Sequence, residues 1–285
     1  MKQTLDIKRW TILAQWWRKI EPPIRPWPSE VRIYKKLSKK VLKGTKSPKI
    51  LVLGATPEMR DVAASFKNAE VTVADISLDM LLIMRRFMKS KNPKEILVRG
   101  DWTTMPLSRN YYDLALGDGL TGNVEYKRHP ILFRHISELL KPPGHFITRI
   151  PAINFPEWKN KSVEEILDYV LRHRLGVADL YFLLFMSFWN DKLGMQGAPG
   201  DYLSHQRLKK YWNPTKKKYQ HPNRFLEKIM NDFYKLIPPI KKSWYNVSLW
   251  RTEKMIKPHF KIQGIFYGGT KIPICWSPIY LLKKK

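Results

Sequence analysis

The chain has 285 residues, 44% of them hydrophobic and 13% aromatic, with a formal net charge of +28. This suits a globular protein of one large or two smaller domains and excludes a disordered chain. The single cysteine, Cys275, excludes an internal disulfide framework and suits a reducing compartment.

Residues 1–48 read as an N-terminal helical extension. It opens with the Trp-rich run Trp10-Thr11-Ile12-Leu13-Ala14-Gln15-Trp16-Trp17, which is broken by polar residues and followed by no small-residue cleavage site. The stretch Glu21-Pro22-Pro23-Ile24-Arg25-Pro26-Trp27-Pro28 cannot continue a helix. A helix is predicted from Glu30 to Leu42, stopping near Gly44. Its Lys35, Lys36, Lys39, Lys40 and Lys43 lie at helical spacing, as on a solvated face.

From residue 49 to residue 150 the pattern becomes short apolar runs alternating with amphipathic stretches. Strands are predicted at 50–53, 71–74, 96–98, 113–116 and 146–150, with helices at 58–66, 78–88 and 130–140. Such alternation implies a parallel sheet with right-handed crossovers. Residues 151–258 read as a helical insertion or lid. One or two long helices are predicted from Ser162 to Lys192, opened by Ser162 and Glu165 at capping-box spacing, and another from Phe225 to Leu236. The most apolar stretch, Leu175 to Trp189, contains Asp179 and is shorter than the ~20 residues that span a bilayer. No stable membrane insertion is expected, and the expected location is cytoplasmic. Residues 259–285 close the chain with strands predicted at 260–267 and 276–282.

Charge is unevenly spread. Up to Lys49 there are 14 Lys and Arg against 3 acids, from Ile50 to Ile150 14 against 11, and from Pro151 onward 24 against 10. The middle segment is nearly neutral, and the flanks would attract anionic partners.

The strand ends carry the chemistry. The first reads Lys49-Ile50-Leu51-Val52-Leu53-Gly54-Ala55-Thr56-Pro57-Glu58. Gly54 permits close backbone approach by a ligand, and Thr56 with Pro57 starts a helix whose free N–H groups face an anionic group. The second strand ends in Asp75-Ile76, where an acid can accept both hydroxyls of a ribose. The third ends in Gly100-Asp101-Trp102, placing Asp101 for a base amino group and Trp102 or Ile76 for the base's face. The fourth ends in Gly117-Asp118-Gly119, and the helix end Leu139-Leu140 leads through Lys141-Pro142-Pro143-Gly144 into the fifth.

Taken in order, these signals resemble the class I S-adenosylmethionine-dependent methyltransferases, over about the middle third of the chain and the two closing strands. Within the class, the turn Gly54-Ala55-Thr56-Pro57-Glu58 resembles a bacterial and archaeal subgroup of unassigned substrate. The resemblance implies an α/β fold with a Rossmann-like, seven-stranded, mostly parallel sheet. It implies S-adenosyl-L-methionine as cofactor, bound by Gly54, the backbone of Ala55 and Thr56, Asp75, Ile76, Asp101, Trp102 and Asp118. The turn departs from the family, which has three glycines at alternate positions where this chain has Gly54, Thr56 and Glu58. Val52 also holds a position that is commonly acidic.

Asp118 is the candidate catalytic residue, at the mouth where the reactive methyl would point. His129 is next by chain position and reads as a surface residue before Pro130. Methyl transfer from a sulfonium is strongly driven, so alignment can carry the rate without a base. No paired metal-ligand spacing occurs among His173, His205, His221 and His259, and no metal is implied. RNA is the preferred acceptor class, because the excess charge lies outside the cofactor-binding core. Lys216, Lys217 and Lys218 would neutralise phosphates while Tyr211 and Trp212 stack on unpaired bases. The alternatives are a small metabolite in a lid-covered pocket, a nicotinamide-dependent oxidoreductase, and an inactive binding homologue. The oxidoreductase reading conflicts with Thr56 and Met59, where the dinucleotide fingerprint needs glycine.

Overall fold

The structure, a computed structural model, describes residues 14, 17–19, 22, 25–90, 94–151, 161–175, 180, 183, 248–268 and 277–285. Seven strands form one sheet: β1 (Lys49–Leu53), β2 (Glu70–Asp75), β3 (Glu95–Arg99), β4 (Tyr112–Asp118), β5 (Leu140–Arg149), β6 (Phe260–Phe266) and β7 (Ile279–Lys284). Their order is β3-β2-β1-β4-β5-β7-β6. The first five run parallel, and β7 runs antiparallel between β5 and β6.

The apolar runs become strands because both faces of the sheet are covered. Ile50, Leu51, Val52 and Leu53 are all buried, which is why β1 reads as continuous hydrophobicity with no alternation. Helices α1 (Pro28–Val41), α2 (Pro57–Ala64) and α3 (Leu78–Arg85) supply Tyr34, Leu37, Met59, Val62, Leu81 and Met84 to one face, against Ile50 and Val52. Helices α4 (His129–Leu139) and α6 (Leu249–Ile256) cover the other, where Phe133, Ile136 and Ile256 meet Leu51, Leu53 and Phe146. Between α4 and α6 in sequence lies α5 (Val163–Arg172), whose Ser162 and Glu165 form the expected capping box.

Several boundaries differ from those predicted, three of them in ways that matter to the architecture. Strand β5 begins at Leu140, within the stretch read as helix end and turn. Tyr112 pairs with Leu140 and Leu114 with His145, so Lys141–Gly144 bulges out while the strand continues. The helix opened by Ser162 stops at Arg172, and Arg174 takes a left-handed φ of 49°, so no single helix runs from 162 to 192. The last strand starts at Ile279 and reaches Lys284. The helix predicted at 225–236 lies outside the described residues. Among the described residues no helix is long and apolar enough to cross a membrane.

Candidate active site

The sheet order reverses between β1 and β4, and open α/β sheets bind ligands outside the carboxyl ends of strands at such a point. Gly54 ends β1 there with φ +92°, a conformation other residues reach only with strain. A Cβ at this position would meet only the Trp102 ring, at 3.5 Å. Thr56 occupies the N-cap position of α2, with Pro57 as the first helical residue. Its side chain makes no capping bond; its carbonyl accepts the amides of Met59 and Arg60. Glu58, in the place of the family's third glycine, reaches Arg25. Arg25 Nε donates to Glu58 Oε1 at 2.9 Å, and Nη2 donates to the same oxygen. Glu58 Oε2 is buried with no hydrogen-bond partner among the described residues.

At the end of β2, Asp75 is buried and its Oδ1 accepts the Ser77 amide at 2.9 Å, which ties it to the start of α3. Ile76 beside it is half-buried. The Trp102 indole donates from Nε1 to the Ala74 carbonyl at 2.8 Å, so the ring bridges the ends of β1 and β2. Asp101 takes bonds on both carboxylate oxygens. Oδ1 accepts from the Thr103 amide and hydroxyl, and Oδ2 from Arg128 Nη2 at 2.8 Å. Burial opposes its charge, yet the Thr103 and Arg128 bonds hold its carboxyl below the ordinary aspartate range. Through Arg128, a 3-10 turn at Tyr126–Arg128 closes over the end of β3.

Beyond β4 the residues form a buried ionic cluster. Arg149 donates from Nε to Asp118 Oδ1 at 2.6 Å and from Nη2 to Oδ2 at 3.1 Å, a two-pronged pair. Its Nη1 donates to Glu30 Oε2 at 3.0 Å. Glu30 Oε2 also accepts the Trp27 amide at 2.7 Å, which starts α1. The Tyr34 hydroxyl donates to the Gly117 carbonyl at 2.7 Å and accepts the Arg149 amide. Burial raises the carboxyl groups of Asp118 and Glu30, and the guanidinium between them opposes that rise. Asp118, expected as a catalytic side chain at an open mouth, has 4% of its side chain exposed and both oxygens on Arg149.

His129, expected at the surface, is fully buried as the first residue of α4. Its Nε2 lies 2.9 Å from both the Thr121 and Val124 carbonyls, which fixes that nitrogen as the N–H donor. Burial holds the ring below the ordinary histidine range, against the opposing effect of those two carbonyls. The structure thus gathers Gly54, Ala55, Thr56, Asp75, Ile76, Asp101, Trp102 and Asp118 along one edge of the sheet. Lys216, Lys217, Lys218, Tyr211 and Trp212 lie outside the described residues. Arg25, Glu30, Tyr34, Arg128 and Arg149 are partners the sequence reading missed. Arg149 left a trace: a charged residue inside the apolar run Phe146–Ile150. Among the described residues no group of three or more His, Cys, Asp or Glu could hold a metal.

Comparison with known proteins agrees with this geometry. The family model for the methyltransferase domain matches residues 53–144, from the end of β1 into β5. No curated protein sequence matches the chain. Among solved structures, the chain is similar to a protein of Pyrococcus horikoshii OT3, with a TM-score of 0.52 and 15% identity, covering 94% of this chain and 98% of that one. It is similar to a Listeria monocytogenes protein assigned as an S-adenosylmethionine-dependent methyltransferase, with a TM-score of 0.54, 11% identity and coverage of 91% and 100%. It is also similar to a Rhodobacter sphaeroides protein assigned as a zinc-dependent alcohol dehydrogenase, with a TM-score of 0.54, 12% identity and coverage of 96% and 98%. At such identities these likenesses carry the fold and no activity. The antiparallel β7 between β5 and β6 is not the all-parallel six-stranded arrangement of dinucleotide-binding folds. With that topology and the match over its central turns, residues 53–144 form a methyltransferase domain on a Rossmann-like sheet.

Proposed function

We propose that the protein transfers a methyl group from S-adenosylmethionine to RNA. The observation that favours an RNA acceptor is the outer face of α1. Arg32, Lys35, Lys36, Lys39 and Lys40 on that helix, and Lys43 and Lys46 just after it, are all exposed. The helix's one acid, Glu30, is buried against Arg149. A cationic surface beside a nearly neutral core suits a polyanion.

The residues at the carboxyl ends of β1 to β4 fit the cofactor. Gly54 leaves the turn without a Cβ, and Glu58 holds a buried carboxylate oxygen with no partner among the described residues. When bound, S-adenosylmethionine supplies an electrophilic methyl group on a sulfonium. Asp75, held by the Ser77 amide, accepts the ribose hydroxyls. Asp101 is oriented by Thr103 and Arg128, and its Oδ2, which accepts only from Arg128, retains a second lone pair for the adenine amino group. Ile76 and Trp102 flank the base. Asp118 acts through Arg149, fixing the ends of β4 and β5 at the mouth of the site. The chain's contribution to rate is alignment and exclusion of water.

Calorimetric titration with S-adenosylhomocysteine should show saturable one-to-one binding. Incubation with labelled S-adenosylmethionine should then label RNA pools and leave metabolite extracts unlabelled. Label in a small acceptor alone would replace RNA by a metabolite. No binding by the folded protein would leave the inactive-homologue reading.

A further inference from the structure

We propose that Arg25 and Glu58 together recognise the amino-acid end of the cofactor, Arg25 its carboxylate and Glu58 its ammonium, in place of a glycine-lined turn. This rests on the cofactor assignment above.

A turn with three alternating glycines presents backbone amides to its ligand, and the helix start favours an anion. In this chain the second residue of α2 is itself an anion. Its carboxylate sits in the first turn, so the positive end of α2 is already partly neutralised. A bound amino acid therefore needs another partner for its carboxylate.

The N-terminal segment supplies one. Arg25 reaches Glu58 from 33 residues away. It also sits against the end of β5, its carbonyl 3.5 Å from Arg149 Nη1, and its guanidinium lies 5.8 Å from the Trp17 ring. Nε and Nη2 are committed to one oxygen of Glu58, which leaves Nη1 uncommitted among the described residues.

Glu58 presents the complementary lack. Its side chain is 13% exposed, yet among the described residues Oε2 has no donor. A buried carboxylate oxygen without a donor is costly, and an incoming ammonium with three N–H groups relieves that cost. One guanidinium edge and one carboxylate oxygen at the β1 turn match the two charges of a zwitterionic amino-acid end.

The test compares S-adenosylhomocysteine with 5′-methylthioadenosine, which keeps the adenosine and thioether but lacks the amino-acid end. Arg25→Met and Glu58→Gln should each weaken S-adenosylhomocysteine binding at least tenfold and leave 5′-methylthioadenosine binding within twofold. The second ligand also reports that each variant is folded. A parallel loss for both ligands would mean that the pair only pins the N-terminal segment, and unchanged affinity for both would also overturn the proposal. The wild-type protein gives a test that needs no variant. Decarboxylated S-adenosylmethionine should bind at least tenfold more weakly than S-adenosylmethionine, and equal affinity would overturn the role of Arg25. If the wild-type protein binds none of these ligands, the cofactor assignment itself fails, a result distinct from binding that the variants do not change.

Discussion

Arg60 and Glu95 join α2 to β3 through an ion pair whose side chains have no exposed surface. Arg60 Nε donates to Glu95 Oε1 at 3.0 Å, and its Nη1 donates to the Leu81 carbonyl at 2.9 Å. Removing one partner strands a buried charge, so Glu95→Ala should cost about 3–5 kcal/mol. Urea unfolding of the variant checks this, and a loss under about 1 kcal/mol would mean that water reaches and solvates the stranded Arg60 guanidinium. His129 gives a pH prediction. Burial holds its folded form below the ordinary histidine value, whereas the unfolded chain protonates at about 6.5. The unfolded state then binds the extra proton, so stability falls as pH drops below about 6.5. His129→Gln keeps an N–H donor for the Thr121 and Val124 carbonyls but cannot be protonated in this range. Between pH 7 and 5.5 the wild type should lose more stability than the variant, because the other histidines are common to both. Equal slopes in urea melts would show that His129 protonates without penalty. None of these pairings was legible in the sequence. Arg60–Glu95, Arg25–Glu58 and Arg149–Glu30 span 35, 33 and 119 residues, far beyond any local period. Gly54, Asp75 and Asp101 were legible because strand ends fix them by position alone.

Elements followed the sequence wherever one local rule governed them. The parallel strands read as apolar runs because two helical layers bury both faces of the sheet. Ser77 and Ser162 cap α3 and α5 at the expected starts. The rule failed at β5, where Lys141-Pro142-Pro143-Gly144 has turn composition but is a bulge inside a strand held by β4 and β7. It also understated α1. The sequence reading treated that helix as an extension, yet Tyr34 is fully buried and bonds the ends of β4 and β5 at once. Tyr34→Phe leaves the Gly117 carbonyl and the Arg149 amide without that partner at little cost in packing. The expected loss is about 1–3 kcal/mol in urea unfolding. It should be accompanied by faster proteolysis within α1 and unchanged protection of β1 and β2. Uniform loss of protection across the sheet would instead place α1 inside a single cooperative unit with β1.

Across the whole molecule, the strongest physical feature is the imbalance between a middle segment with 14 Lys and Arg against 11 acids and flanks that carry nearly all of the +28 charge. The cofactor end of the sheet is built from paired charges: Arg25 with Glu58, Arg128 with Asp101, and Arg149 with Asp118 and Glu30. Such pairs neutralise one another locally and contribute little field at a distance, so long-range attraction of a polyanion falls to the outer lysines. Those of α1 lie on the helix that Tyr34 and Glu30 tie to the mouth of the site, so RNA held there would lie beside the carboxyl ends of β4 and β5. Each phosphate neutralised on a single strand contributes about −0.7 to the slope of log K against log salt concentration. If Lys35, Lys36, Lys39 and Lys40 each meet a phosphate, changing all four to Gln should reduce the slope by about 3. Fluorescence anisotropy with a single-stranded RNA of about 20 nucleotides, titrated from 50 to 300 mM salt, measures it. S-adenosylhomocysteine affinity should stay unchanged, since these side chains lie on the exposed face of α1. A reduced slope with intact cofactor binding would make α1 the track that carries RNA to the site. An unchanged slope would move that track to the basic segment around Lys216, Lys217 and Lys218.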